Sequence, residues 1–320
     1  MEIAPNIHRI EAPLGERFVC MFLLDGDECA LLIDTGMDSI PGEYLVPYLD
    51  AIGIPAEKIR YVLISHADFD HMAGNGALKE MAPNALFMCH HLDRAMVEDI
   101  ECMIAERYDE FAPDHGMATA AADKEFIRSA TRCVAMDMTL SGGEKIRLGK
   151  DWEVEILRTP GHTWGHLTVN DARSQTLIIA DATLFNAVLQ KDGQPAFPPT
   201  YRYVDTYVGS MDRFMGMPSK TLLTSHYPVY SGAAIGEFLH QSRAYVDRVD
   251  QALCDELQGA AAPRTLRELI EALGPRLGEW PEAGNSYLCF PLLGHLERLV
   301  HYGRVVSGRR EGLATYSLTV

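Results

Sequence analysis

The sequence predicts an α/β protein, and three observations carry that prediction. Short apolar runs of strand length, rich in Val, Ile and Leu, recur at 7–10, 18–24, 30–33, 61–64, 85–89, 152–157, 176–180 and 221–224. Stretches of helical periodicity lie between them, so strands and helices interleave along the chain. Four of the runs deliver polar residues at their C-terminal ends: Ser65-His66, Thr159-Pro160-Gly161-His162, Asp181 and Ser225-His226.

In chain order, the first three strands are separated by turn formers, notably Gly26-Asp27 and Asp34-Thr35-Gly36. A helical pattern follows near 44–52, then the buried strand 61–64. The segment Ser65-His66-Ala67-Asp68-Phe69-Asp70-His71 opens a helix that runs to about residue 80. Residues 92–130 read as a helical or irregular insertion rich in Met and acidic side chains. After the later strands, 204–214 and 235–257 read as helices, the second long and amphipathic. Ala260-Ala261-Ala262-Pro263 reads as a linker. Beyond it, helices at 266–273 and 292–301 and short strands at 304–306 and 315–318, around 308–312, have the order of a winged helix. The expected organisation is a catalytic domain over 1–258 and a winged-helix-like unit over 264–320.

The chain has 320 residues and a formal net charge of −17, a field that repels phosphate backbones and anionic lipid surfaces. Residues 254–320 carry seven Arg against eight Asp or Glu, with Arg304, Arg309 and Arg310 on the expected hairpin. That is a weak nucleic-acid signal, and packing against the rest of the chain is favoured over it. The seven cysteines are scattered, odd in number and free of CxxC spacing, which suits reduced thiols. The N-terminus lacks a basic segment followed by an apolar one, and no uninterrupted apolar stretch of membrane-spanning length occurs. A cytoplasmic protein is the expectation.

The chemistry concentrates in His66-x-Asp68-x-Asp70-His71, followed by His162, Asp181 and His226. Imidazole nitrogen and carboxylate oxygen are the donors that borderline and harder divalent metals favour. A tight loop after a strand turns positions i, i+2, i+4 and i+5 toward one point, and the later residues also sit at strand ends. Each alone has an ordinary explanation: a hydrogen-bonded His, or a turn Asp for Asp181. Asp34 reads as a loop-ordering acceptor, and His90, His91, His115, His240, His295 and His301 as structural.

Taken together, Leu32-Ile33-Asp34-Thr35-Gly36, the 66–71 segment, Thr159-Pro160-Gly161-His162-Thr163, Asp181 and Ser225-His226 resemble the five ordered motifs of the metallo-β-lactamase superfamily. The resemblance implies an αβ/βα sandwich of two mixed β-sheets flanked by helices, with two metal ions at one edge. It assigns His66 and His162 to the first metal, Asp70, His71 and His226 to the second, and Asp181 to a bridge between them. The family pattern is HxHxDH, and here Asp68 stands where the second His belongs. A carboxylate there hardens the site; zinc is the expected metal, with iron or manganese as alternatives.

The resemblance further implies a dinuclear hydrolase in which metal-activated hydroxide attacks a small ester, thioester or lactone, with Asp70 orienting the nucleophile and aiding proton transfer. Tyr201 and Tyr203 are candidate substrate-binding residues, because the family lines its pocket with the corresponding segment; core packing is the equal alternative. Arg202 and Lys191 read mainly as solvated surface, and His166 as packing under the His162 loop. Homodimerisation is compatible with the family. The competing readings are nucleic-acid or phosphodiester hydrolysis, a diiron redox protein and a metal sensor.

Overall fold

The computed structural model describes residues 1–319. Seven strands, β1 (Glu2–Ala4), β2 (Ile7–Leu14), β3 (Arg17–Asp25), β4 (Ala30–Ile33), β5 (Ile59–Leu63), β6 (Leu86–His90) and β7 (Met138–Leu140), form one sheet in sequence order. The first four pair antiparallel; β4 through β7 pair parallel. The second sheet contains β8 (Lys145–Gly149), β9 (Trp152–Arg158), β10 (Leu167–Asp171) and β11 (Thr176–Ala180). After a small hairpin of β12 (Val188–Leu189) and β13 (Pro195–Phe197), it is completed by β14 (Thr221–Thr224), parallel to β11, and β15 (Tyr230–Ser231).

Central strands such as β3, β4 and β11 are buried on both faces, which is why they read as continuous apolar runs. Alternate residues of β3 divide between two cores: Val19, Met21 and Leu23 face a helical layer, while Cys20, Phe22 and Leu24 face the other sheet. Across that interface stand Val154, Ile156, Val169, Ile178 and Leu223 of the second sheet. The second sheet's outer face, including Leu177, Ile179 and Leu222, packs with Phe214, Phe238 and Leu239 of the helices Val204–Met215 and Ala233–Gly259. The result is a four-layer αβ/βα sandwich.

The insertion folds into short helical segments, Arg94–Glu98, Ile100–Met103, the π-turn Ile104–Tyr108, Ala112–His115 and Ala121–Ser129. At the other end of the chain, β16 (Arg264–Thr265), the helix Leu266–Leu277, a 3₁₀ turn, the helix Cys289–His301, β17 (Val305–Arg310) and β18 (Leu313–Leu318) form a small sheet with two helices; residue 320 lies outside the described residues. Thr265 and Glu268 make a reciprocal capping box that starts the first of those helices. The hairpin strands are longer than the sequence suggests, because Gly308 lies within β17 and the reversal is confined to Glu311-Gly312, both at positive φ.

The apolar face of this tail is continuous with the rest of the chain: Leu266, Leu273, Leu292 and Leu296 share one core with Tyr201, Tyr207, Val246 and Leu253. Arg202, read from sequence as solvated surface, is instead buried and ion-paired with Glu110 of the insertion and Glu297 of the tail. It fastens three separate segments at one point. Among the described residues no helix is long and apolar enough to cross a membrane, and all seven cysteines are free.

Candidate metal centre and its cavity

The residues flagged at strand ends converge at one edge of the sandwich. Asp34, just beyond β4, has φ +61 and organises the neighbouring loop. Its Oδ1 accepts the Ser65 backbone N–H at 2.7 Å; its Oδ2 accepts the Ser65 hydroxyl at 2.8 Å and the His71 Nδ1–H at 2.8 Å. Serving as an acceptor that orders the loop, it also aims His71.

All four motif histidines follow that pattern. His66 Nδ1 bonds the Ser65 hydroxyl at 2.9 Å, His162 Nδ1 the Thr200 carbonyl at 3.1 Å, and His226 Nδ1 the Phe18 carbonyl at 2.8 Å. With Nδ1 engaged, each Nε2 points inward, the arrangement that outer hydrogen bonds impose on metal-ligating imidazoles. Asp181 Oδ2 lies 3.7 Å from His71 Nε2 and 3.1 Å from His226 Nε2. Asp70 Oδ2 is 3.9 Å and 3.6 Å from the same two atoms.

Three overlapping sets have donor atoms within 4.8 Å of one another: His66, His71 and Asp181; His66, Asp68 and His162; and Asp70, His71 and His226. His66 Nε2, His71 Nε2 and Asp181 Oδ1 are buried with no hydrogen-bond partner among the described residues. Orphaned buried donors and acceptors are costly unless something else satisfies them, so the residues present fit a cation. Burial opposes charge on Asp181, but His226 and His71 outweigh it and hold its carboxyl well below the usual range. Burial likewise works against protonation of His71, yet Asp181, Asp70 and Asp34 hold its pKa well above normal. His66 goes the other way, lowered to about 4 by burial and by His71.

Two residues that sequence reasoning missed complete the site. Arg107, from the insertion's π-turn, grips Asp68 with both Nε–H (to Oδ1, 2.8 Å) and Nη2–H (to Oδ2, 3.0 Å). No spacing marks it; the only signal in the sequence is the extra carboxylate itself. Asp93 is buried and accepts from Ala67 N–H (3.3 Å), the Thr163 hydroxyl (2.7 Å) and Gly165 N–H (2.8 Å), so it ties the His66 loop to the His162 loop.

The centre opens into a cavity of about 540 Å³. Asp68, Asp70, Asp181 and His226 reach it, Phe69, Tyr108 and Phe126 wall one side, and Phe197, Tyr287 and Phe290 also line it. The insertion and the tail thus supply much of its apolar surface. Tyr201 and Tyr203 do not line this cavity. Tyr201 is fully buried, stacked on Tyr207 with its hydroxyl 2.9 Å from His295 Nε2; Tyr203 stacks on Trp164. His166 bonds the Thr159 hydroxyl at 3.1 Å and stacks on His66.

Replacing Asp34 by Asn removes the charged acceptor while keeping its shape. The expected result is a loss of metal affinity of about 10- to 100-fold, measured by competition with a chromophoric chelator. An unchanged affinity would mean that packing alone orients His71.

Comparison with known proteins agrees with this geometry. The profile of the metallo-beta-lactamase superfamily matches residues 14–226. The chain is 26% identical over 130 residues to a hydroxyacylglutathione hydrolase of Polaromonas sp., spanning 41% of this chain and 35% of that protein. It is 25% identical over 238 residues to the uncharacterized protein YobT of Bacillus subtilis, spanning 72% of this chain and 88% of the relative. Among solved structures, a metallo-beta-lactamase family protein of Thermus thermophilus superposes with a TM-score of 0.76 at 20% identity, over 99% of both chains. A beta-lactamase domain protein of Burkholderia ambifaria gives 0.74 at 18% identity, over 100% of this chain and 93% of that one. These two likenesses bear on the fold and extend through the tail. The chain spans well under two thirds of the hydroxyacylglutathione hydrolase it matches, while the motif set, the sandwich and the matched span lead to one conclusion: this chain belongs to the metallo-beta-lactamase superfamily.

Proposed function

We propose that the chain hydrolyses a small ester, thioester or lactone bearing an apolar group, with divalent metal held at the strand-end centre. The observation that carries this reading is the convergence of four inward-facing Nε2 atoms and three carboxylates beside an aromatic-walled cavity. Asp70, His71, His226 and Asp181 would hold one ion; His66 and His162, with Asp68 and the shared Asp181, would hold the other. The nitrogen and oxygen donor set suits zinc, and its three carboxylates also admit iron or manganese. Bound ions would polarise the substrate oxygen and make water acidic enough to ionise near neutral pH.

The chain's own groups account for the rest. Asp70 reaches the cavity with its carboxylate and is the group placed to orient the attacking water and hold its proton. Phe69, Tyr108 and Phe126 offer apolar surface to the acyl or leaving group and exclude water from it. The partial match to a hydroxyacylglutathione hydrolase supports including thioesters. Nucleic-acid substrates are less favoured: Arg304, Arg309 and Arg310 pair with Asp250, Asp114 and Glu268, so the basic residues of the hairpin are already engaged.

The test is to strip the protein with a chelator and assay 4-nitrophenyl butyrate, a butyryl thioester and a γ-lactone before and after adding zinc, iron or manganese. Turnover of at least one substrate should vanish on stripping and return with metal. Turnover that is indifferent to metal, or no metal bound after reconstitution, would overturn the proposal.

A further inference from the structure

We propose that Arg107 is a built-in cation on the Asp68–His162 side of the centre, and that it competes with metal there, so that the two metal positions differ widely in affinity. This rests on the metal-dependent reading above.

Asp68 occupies the position at which the sequence departs from HxHxDH, and its carboxylate is already engaged. The Arg107 guanidinium binds both of its oxygens in a fork, the geometry that makes such pairs strong and directional. Nη1 also donates to the His162 carbonyl at 3.1 Å, and the guanidinium carbon lies 4.6 Å from the Phe290 ring centroid. With its side chain 5% exposed, Arg107 is held from several directions. The π-turn Ile104–Tyr108 that carries it also brings the Tyr108 hydroxyl to 3.5 Å from Asp68 Oδ1. Local π-turns of this kind are frequent at functional sites.

The substitution is balanced in charge. A neutral imidazole at position 68 would contribute none; Asp68 with Arg107 also sums to none. What changes is who holds the ligand. Two donors sharing a tetrahedral zinc at ordinary bond lengths stand about 3.3 Å apart. On the Asp181 side the separations of 3.1 Å (His226) and 3.7 Å (His71) bracket that value. On the other side Asp68 Oδ2 is 2.8 Å from His162 Nε2, a hydrogen-bond distance, and Arg107 Nη2 is 3.2 Å from the same nitrogen. A divalent ion placed there meets a fixed guanidinium at close range and must share or break these bonds. Among the described residues, the Asp70–His71–His226 set has no such guanidinium bonded to it.

The experiment is a zinc titration of the chelator-stripped, full-length protein against a chromophoric competitor, with elemental analysis of the desalted product. Thermal unfolding confirms that each variant is folded. The wild type should bind one equivalent tightly and a second at least tenfold more weakly. Arg107→Gln should raise the second affinity tenfold or more and leave the first unchanged. Arg107→Lys, which keeps the charge, should preserve the gap. Asp68→His with Arg107 retained should also leave the second equivalent weak, whereas Asp68→His combined with Arg107→Gln should bind two equivalents comparably. That pair keeps the test decisive should Arg107→Gln alone, which strands Asp68, fail to fold. Two equally tight equivalents in the wild type, or a weaker second equivalent in Arg107→Gln, would overturn the proposal. No zinc bound at all would instead defeat the metal-dependent reading on which it rests.

Discussion

Asp181→Ala should lower kcat/KM for the best ester or thioester substrate by about 10³-fold or more and reduce the metal retained after desalting. Asp181 follows β11 directly, where Ala180 adopts φ +44 and turns the chain out of the strand. Its Oδ2 lies between His71 and His226 while its Oδ1 has no partner among the described residues. Asp70 does not substitute for it, because Asp181, and not Asp70, also has a carboxylate oxygen grouped with His66 as well as His71. The loss should be greater than for substitutions in the aromatic wall, because the wall shapes the cavity whereas Asp181, on the proposed reading, would be shared by the two halves of the centre. Steady-state kinetics with elemental analysis provide the check. A fall of less than tenfold with metal content intact would remove Asp181 from the proposed chemistry.

The second large effect is on stability. Gly161→Ala should destabilise the protein by about 3 kcal/mol, through backbone strain and steric overlap together. Gly161 has φ +151, and a Cβ added there would lie 2.5 Å from the Tyr207 Cα and 2.6 Å from its Cβ. Those atoms belong to the helix Val204–Met215, so no flexible side-chain tip can swing aside. The Gly161 carbonyl also accepts the N–H groups of Arg202 and Tyr203, both at 2.8 Å. Displacing this residue moves His162, its neighbour, and pulls on the segment that leads to the buried Arg202. Urea denaturation should show the loss, and metal content should fall with it. A change below about 1 kcal/mol would mean that the helix gives way cheaply.

Much of the centre was legible because each part of it is local. A strand-length apolar run followed by a polar residue can be read in place, and His66, Asp70, His71, His162, Asp181 and Ser225-His226 all announce themselves that way. Asp34 was legible as an acceptor for the same reason: Asp-Thr-Gly after a strand is a turn with a free carboxylate. The strand Leu167–Asp171 was not seen, since Leu-Thr-Val-Asn-Asp carries little apolar signal, although its Thr168 is buried beside Thr159. Arg202 was misjudged, and Tyr201 was left open between pocket and core, for a related reason. Nothing in Thr200-Tyr201-Arg202-Tyr203 reveals that His295, Glu110 and Glu297, far away along the chain, close over it.

The sequence by itself determined the α/β class, the strand ends that carry the candidate ligands, and the departure at Asp68, because those depend on short-range patterning and on residue identity. Only the tertiary structure decided what Asp68 is paired with, what walls the cavity and where the tail belongs. Arg107 is separated from Asp68 by 39 positions, and Phe290 comes from the opposite end of the chain. Such contacts arise when buried charges and apolar faces must find partners across the fold. Which partner is found depends on how the layers pack, information that no local spacing contains.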